Sequence, residues 1–337
     1  MKNILLIMTG GTIGSTLKKN TVDTSDAATY SLLQRFNADY PSADQIHFKT
    51  RQLTSILSEN IQPEFWQILI QAIESETIEN YDGIIITHGT DTLAFTAAAL
   101  GLYFNAINIP LLLVSSHLPL QHPDANGFHN FMCAVDYIVQ NQPAGVFVPY
   151  QNPGHDMTVH RGIHLLSSLP LSSDFISARF SSDMRYEAGQ FIHVNTIPYE
   201  QQPVRLKPIF SARILLIRPY PGLDYRNLKL TGIDCVLHDL YHSGTACALD
   251  ENNPQSALYV LNQCQKQGLT VYFAPIEKRT AVYSTTRQLL ENGAEFIWDM
   301  TLEAAYAKLL LAFGNFDSDP TRRQFLDTNI AGEKIIS

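Results

Sequence analysis

Three short runs in which nearly every position is apolar constrain this chain more than any other feature. They span residues 4–8, 83–87 and 110–114. A strand presents alternate residues to opposite faces, so a run that is apolar at both odd and even positions needs cover on both sides. Such strands predict a parallel sheet between layers of helix. Between the second and third runs, the alanine-rich residues 91–100 suit a closely packed crossover helix. The unit is therefore βαβ.

The pattern breaks over residues 196–212, where Pro198, Pro203 and Pro208 interrupt any regular element among polar Glu200, Gln201 and Gln202. Beyond it, residues 213–218 and 233–237 read as strands. Asn253 and Pro254 read as the cap and first turn of a helix that Gly268 closes, and residues 270–275 read as the next strand. Leu302, Tyr306, Leu309 and Leu310 recur at helical spacing, with Thr301 as cap and Gly314 as stop. Arg322 and Arg323, in a polar tail from residue 317 to 337, read as a solvated face. The expectation is two α/β domains: a larger one over residues 1–195 with a mainly parallel sheet, a linker over 196–212, and a smaller one over 213–337.

Composition narrows the partners. The 337 residues are 45% hydrophobic and 16% charged, which is enough apolar material for a buried core. The balance of 23 basic against 32 acidic side chains leaves a net charge of −9, which argues against nucleic acid or an anionic membrane as partner. Cys133, Cys235, Cys247 and Cys264 form no CxxC pair, so neither a disulfide framework nor a thiolate metal site is indicated. Residues 4–8 are too short for a secretory apolar core, and no segment approaches a membrane-spanning length. A cytoplasmic protein of enzyme size with a small molecule as partner is expected, and no metal or organic cofactor is implied.

Two turns carry the chemistry. Thr9-Gly10-Gly11-Thr12-Ile13-Gly14 follows the first strand, and Thr87-His88-Gly89-Thr90-Asp91-Thr92 follows the second. Ligands of an open parallel sheet collect beyond the carboxyl ends of its strands, so both turns are placed to face one crevice. Glycines expose a threonine hydroxyl and free backbone N–H groups for an oxyanion. Either turn alone is better read as a tight strand-to-helix connection with a capping Thr or Asp. The two together favour Thr12 and Thr90 as reactive hydroxyls with Asp91 alongside. A dinucleotide fingerprint is disfavoured, since the spacing is not GxGxxG and residues 15–26 lack helical periodicity. His155, His160 and His164 read as core or solvated histidines, because Arg161 stands where a zinc-protease motif has Glu. No serine-hydrolase elbow or P-loop lysine is present.

The TGGTI and HGTDT turns make the chain resemble the bacterial-type asparaginase/glutaminase family along nearly its whole length, including Pro63-Glu64-Phe65-Trp66 and the strand and turn around Ser115 and Ser116. The resemblance implies two α/β domains and a homodimer or homotetramer whose sites are completed by a neighbouring subunit. It implies Thr12 as the attacking hydroxyl, Thr90 and Asp91 as supports of acyl transfer, and Gly11, Ser58, Glu59 and Gly89 as substrate-binding residues for an amino-acid amide. Ser58 would meet the α-carboxylate, and Glu59 and Asp91 the α-ammonium. On the residues alone, Ser58-Glu59 is an ordinary polar loop before a helix.

Several positions depart from the family pattern. Matching Arg161-Gly162 to its RG motif puts Ser167 where the family has a lysine near Thr90 and Asp91, a loss that slows the reaction, shifts the substrate or is offset by another cation such as Arg161, Lys278 or Arg279. The flap tyrosine after the first turn is missing, Asn126 replaces an Asp, and Tyr241-His242-Ser243-Gly244-Thr245 replaces YGxGN. The expected activity is hydrolysis of L-asparagine to aspartate and ammonia through an acyl-enzyme. The alternatives are an amidase for glutamine or a larger amide, or a silent amino-acid-binding relative.

Overall fold

The computed structural model describes residues 1–11, 13, 15–18, 21–24, 26–180, 182–194, 202–279 and 281–335, with backbone alone for 15–18, 21–24, 26–30 and 180. Thr12, Gly14 and the 196–201 part of the linker lie outside the described residues. The chain divides into two compact units, Met1–Pro208 and Ile209–Ser337.

The first unit contains, in order, β1 (Lys2–Gly10), the hairpin strands β2 (Ser15–Lys18) and β3 (Thr21–Thr24), α1 (Asp26–Asp39), β4 (Ile46–Ile56) and α2 (Pro63–Glu74). There follow β5 (Gly83–Thr87), α3 (Leu93–Tyr103), β6 (Pro110–Val114), α4 (Gly127–Val139), β7 (Gly145–Gln151), β8 (Met157–Arg161), β9 (Met184–Glu187) and β10 (Gln190–His193). Strands β2 and β3 pair with each other, and the main sheet is eight-stranded, in the order β10-β9-β8-β7-β6-β5-β1-β4. From β4 to β7 the pairing is parallel, and β8, β9 and β10 add on antiparallel. The three apolar runs form the adjacent inner strands β6, β5 and β1, and their residues Ile4, Leu5, Leu6, Ile7, Ile84, Ile85, Ile86, Leu111, Leu112 and Leu113 have no exposed surface.

Alternation along these strands sorts the helices. Ile4, Leu6, Met8, Ile85, Leu112, Val114 and Phe147 share one core with Leu32 and Phe36 of α1 and with Phe128, Phe131 and Ala134 of α4. Val146 points the other way from Phe147 and, through Gly162, meets Ala97 of α3. There α3 packs with α2, the Trp66 indole N–H donating to Thr96 Oγ1 at 3.0 Å. The connections β1-α1-β4 and β6-α4-β7 run in opposite directions along the sheet, yet α1 and α4 cover the same face. The two crossovers therefore have opposite hands. The connection through α4 also travels in the same direction as β5-α3-β6 with its helix on the other face, which makes α4 the exception to the right-handed rule. Two asparagines at its start hold it. Asn126 accepts from the His117 N–H at 3.0 Å and donates to the Gln151 carbonyl at 2.8 Å, while Asn130 donates to the Ser115 carbonyl and accepts from the Gln151 N–H, each at 2.9 Å. Asn126 uses both donor and acceptor here, which a carboxylate cannot do.

The second unit has β11 (Ile214–Ile217), β12 (Cys235–Asp239), α5 (Ala257–Lys266), β13 (Thr270–Ile276), α6 (Ser284–Glu291), β14 (Glu295–Trp298), α7 (Leu302–Asn315) and α8 (Asp319–Asp327). Its strands form a parallel sheet in chain order. Asn253 does not cap α5. Its side chain closes a turn onto the Gln255 N–H at 2.9 Å, and Ser256 caps the helix by accepting from Leu258 N–H at 3.2 Å. Thr301 caps α7 through Ala304 N–H at 3.1 Å, but Gly314 does not end it. The Ile209 carbonyl presses on Gly314, so glycine is needed there for close approach rather than termination. Arg322 is not on a solvated face: its side chain is 16% exposed, pairs with Asp319 at 2.6 Å and lies over the Phe313 ring. The 241–245 segment is a tight turn closed by Gly244 N–H to the Tyr241 carbonyl at 2.7 Å.

Lys308 and Glu333, both fully buried, pair at 2.5 Å, and Lys308 also donates to the carbonyls of Leu326 and Thr328. Glu333 in turn accepts from the Ile330 and Ala331 N–H groups, which ties residues 326–333 to α7. Lys308→Met leaves the Glu333 charge buried without its cation, so a loss of about 3–5 kcal/mol is expected in urea unfolding of the variant. Lys308→Met/Glu333→Leu should recover much of that loss.

Candidate active site

Parallel pairing of β1 with β5 brings their carboxyl ends level, Met8 opposite Thr87. Thr9 then locks the two exits together. Its hydroxyl donates to the Thr87 carbonyl at 2.6 Å, and its N–H donates to Thr87 Oγ1 at 3.3 Å. The chain turns at Gly11 with φ of +75°, its N–H held by the Ile56 carbonyl at 3.3 Å. A Cβ on Gly11 would collide with the backbone of His88 and Gly89. The two glycine turns thus abut backbone to backbone, a contact that only residues without side chains allow.

The third strand end supplies Ser58. It is 3% exposed and sits at the start of a short helical turn after β4. Its hydroxyl donates to Asp91 Oδ2 at 3.0 Å and accepts from the Asp91 N–H at 3.2 Å, and its carbonyl accepts from Thr92 Oγ1 at 2.8 Å. A Cβ on Gly89 would fall 2.5 Å from Ser58 Oγ. Gly11, Ser58, Gly89 and Asp91, far apart in sequence, are therefore brought into one cluster. Thr90 stands between Gly89 and Asp91 and is partly exposed, while Asp91 and Glu59 are exposed. Ile13 is 1% exposed in the core beneath α1 and α4. Thr12 lies outside the described residues.

His88, to which sequence reasoning gave no role, is wholly buried beside Gly89. Its Nδ1 is 2.7 Å from the Gly89 carbonyl oxygen, and burial pulls its pKa from 6.5 down to about 4. The only advance signal was its place inside the second turn.

The replacement cations fare differently from the turns. Arg161 Nε pairs with Asp183 at 2.8 Å. Its register runs through Phe147 and Leu112 to Ile85, three strands away from mid-β5. At about 4.8 Å per strand, that is roughly 14 Å sideways before counting the further residues to Thr90. Arg161 is thus out of reach. Arg279 pairs with Glu277, and both it and Lys278 belong to the second unit. Among the described residues Asp91 makes no ion pair, and no group of His, Cys, Asp and Glu is arranged to hold a metal ion. His160 is a core residue, its Nδ1 2.8 Å from Ser177 Oγ and its pKa lowered by burial to about 4. Among the described residues no helix is long and apolar enough to cross a membrane.

The asparaginase family model, described as "Asparaginase, N-terminal", matches residues 3–167. Among curated proteins, the chain is similar to a glutamyl-tRNA(Gln) amidotransferase subunit of Methanosphaera stadtmanae, at 28% identity over 98% of this chain and 76% of that one. The same-named protein of Saccharolobus solfataricus is 26% identical, again over 98% and 76%. Among solved structures, the thermostable L-asparaginase from Thermococcus kodakarensis superposes with a TM-score of 0.80 at 25% identity, covering 99% of this chain and 100% of that one. L-asparaginase I from Vibrio cholerae has the same TM-score at 24% identity, covering 99% of both, a likeness that speaks to the fold alone.

Two outcomes follow from the geometry. Gly11→Ala must push apart two backbones at a positive φ, and a loss of about 1–3 kcal/mol is expected in thermal unfolding. His160 has a folded pKa below its unfolded value, so the unfolded chain binds more protons between about pH 6.5 and about 4. Stability should therefore fall as pH drops through that window. His160→Asn should flatten the slope by about 1.4 kcal/mol per pH unit, measured by urea unfolding at a series of pH values.

Proposed function

The chain belongs to the asparaginase family, and from that premise we propose that it hydrolyses the side-chain amide of L-asparagine. In this mechanism Thr12 Oγ attacks the amide carbon, ammonia leaves carrying the added proton, and water hydrolyses the resulting ester to aspartate. Backbone N–H groups of the two turns stabilise the oxyanion in both halves. Thr90 and Asp91 assist proton movement. Asp91 and Glu59, both exposed acceptors, receive the α-ammonium. The Ser58 hydroxyl exchanges its bond to Asp91 for one to the α-carboxylate. Catalysis is assigned to the first unit, residues 196–212 to the linker, and a neighbouring subunit of a homodimer or homotetramer to closure of the pocket. A cytoplasmic location is part of the same proposal, consistent with the free cysteines Cys133, Cys235, Cys247 and Cys264.

The observation that carries most weight is the abutment of Gly11 on Gly89 with Ser58 bonded to Asp91, because it gathers residues from three strand ends around one place. A second reading is favoured by the names of the relatives and by Ser167 at the lysine position: an amidase that draws ammonia from glutamine or a larger amide.

Thr12→Ala and Thr90→Ala should each lower ammonia release by at least about 10²-fold while circular dichroism stays unchanged. Full rates in both variants would remove the assigned roles. Parallel assays on asparagine, glutamine and peptide amides decide between the substrates. Saturable aspartate binding in calorimetry without turnover of any amide would instead identify a silent binding protein.

A further inference from the structure

His88 is a buried polar side chain beside the proposed chemistry that the mechanism leaves unused. A carbonyl oxygen only accepts, so the 2.7 Å contact with Gly89 requires the hydrogen on Nδ1. The buried ring stays neutral near pH 7, which leaves Nε2 as a lone pair, and among the described residues it has no partner. The ring therefore forgoes hydrogen bonding at one nitrogen while keeping the bond at Gly89, a costly arrangement in a wholly buried place.

That bond controls a peptide plane. Among the described residues the only cis bond is Ala274-Pro275, so the Gly89–Thr90 peptide is trans and its C=O and N–H point in opposite directions. With the oxygen drawn to the buried ring, the Thr90 N–H is turned away from that ring. Gly89 has no Cβ to bias the plane, so the hold must come from outside it.

We propose that His88 is a positioning residue whose Nδ1–H bond to the Gly89 carbonyl locks the 89–90 peptide with the Thr90 N–H presented to the oxyanion of the scissile amide. The proposal rests on the amidase mechanism above and deepens it. His88 itself touches neither substrate nor reacting atoms.

The amide nitrogen of Asn can occupy the place of Nδ1, whereas that of Gln reaches only the place of Nε2. His88→Gln should therefore lower kcat by about 10²-fold, with KM held within about threefold. His88→Asn should recover at least about tenfold of that kcat. Wild-type kcat in His88→Gln, or equal losses in the two variants, would overturn the latch. A second measurement does not depend on turnover. Long-range proton–nitrogen NMR, with the His88 signal identified by its absence in His88→Gln, should show the neutral Nδ1–H tautomer between about pH 5 and 8. An Nε2–H tautomer or an imidazolium in that range overturns the proposal. Thr90→Ala at full rate removes the mechanism and the latch together. An inactive Thr90→Ala beside a fully active His88→Gln removes the latch alone.

Discussion

The contact between the backbones of Gly11 and Gly89 is the constraint on which the candidate site depends. It exists because β1 and β5 are adjacent and parallel, so their carboxyl ends exit at one level and Thr9 can clamp them. Neither glycine tolerates a Cβ, one because of the facing backbone and the other because of the Ser58 hydroxyl. The crowding keeps the two turns in backbone contact and the Ser58 side chain from the end of β4 against Gly89. Residues of very different sequence position then form one surface, as the proposed transfer chemistry requires.

The rest of the first unit serves that edge. A central sheet buried on both faces is a stiff spacer, and its register decides which side chains approach the turns. Arg161 illustrates the point, since its neighbours in sequence match a family motif yet its strand position carries it to a different part of the sheet, paired with Asp183. The left-handed connection through α4 is similarly tied to local bonds: Asn126 and Asn130 fasten the turn after β6 to the end of β7. Asn126 in place of the family's Asp is thus accounted for by the donor it supplies to Gln151.

Under the proposed reading, the serine matched to the asparaginase family's lysine is the most informative departure. The proposed match puts Ser167 at its position, Arg161 pairs with Asp183, and Asp91 bonds to Ser58 and makes no ion pair among the described residues. In the proposed mechanism such a centre relies more on fixed backbone dipoles than on a nearby cation to hold developing negative charge. That places weight on whatever orients the turn after β5, and His88 is the side chain bonded to it.

The sequence by itself determined the central strands, the crossover helix α3 and the cap of α7, because apolar periodicity, alanine content and a threonine before a helix are local signals. It also marked the two glycine turns, since their residue types are rarely clustered without a reason. Local signals misplaced the start of α5 and the end of α7, where a serine cap and a pressing carbonyl, both matters of three-dimensional neighbourhood, prevailed over the nearer Asn253 and Gly314. Only tertiary structure decided that Ser58 meets Asp91, that Arg161 does not approach Thr90, and that α4 crosses on the same face as α1. Strand order, register and hand are set by long-range packing, and no window of neighbouring residues contains that information.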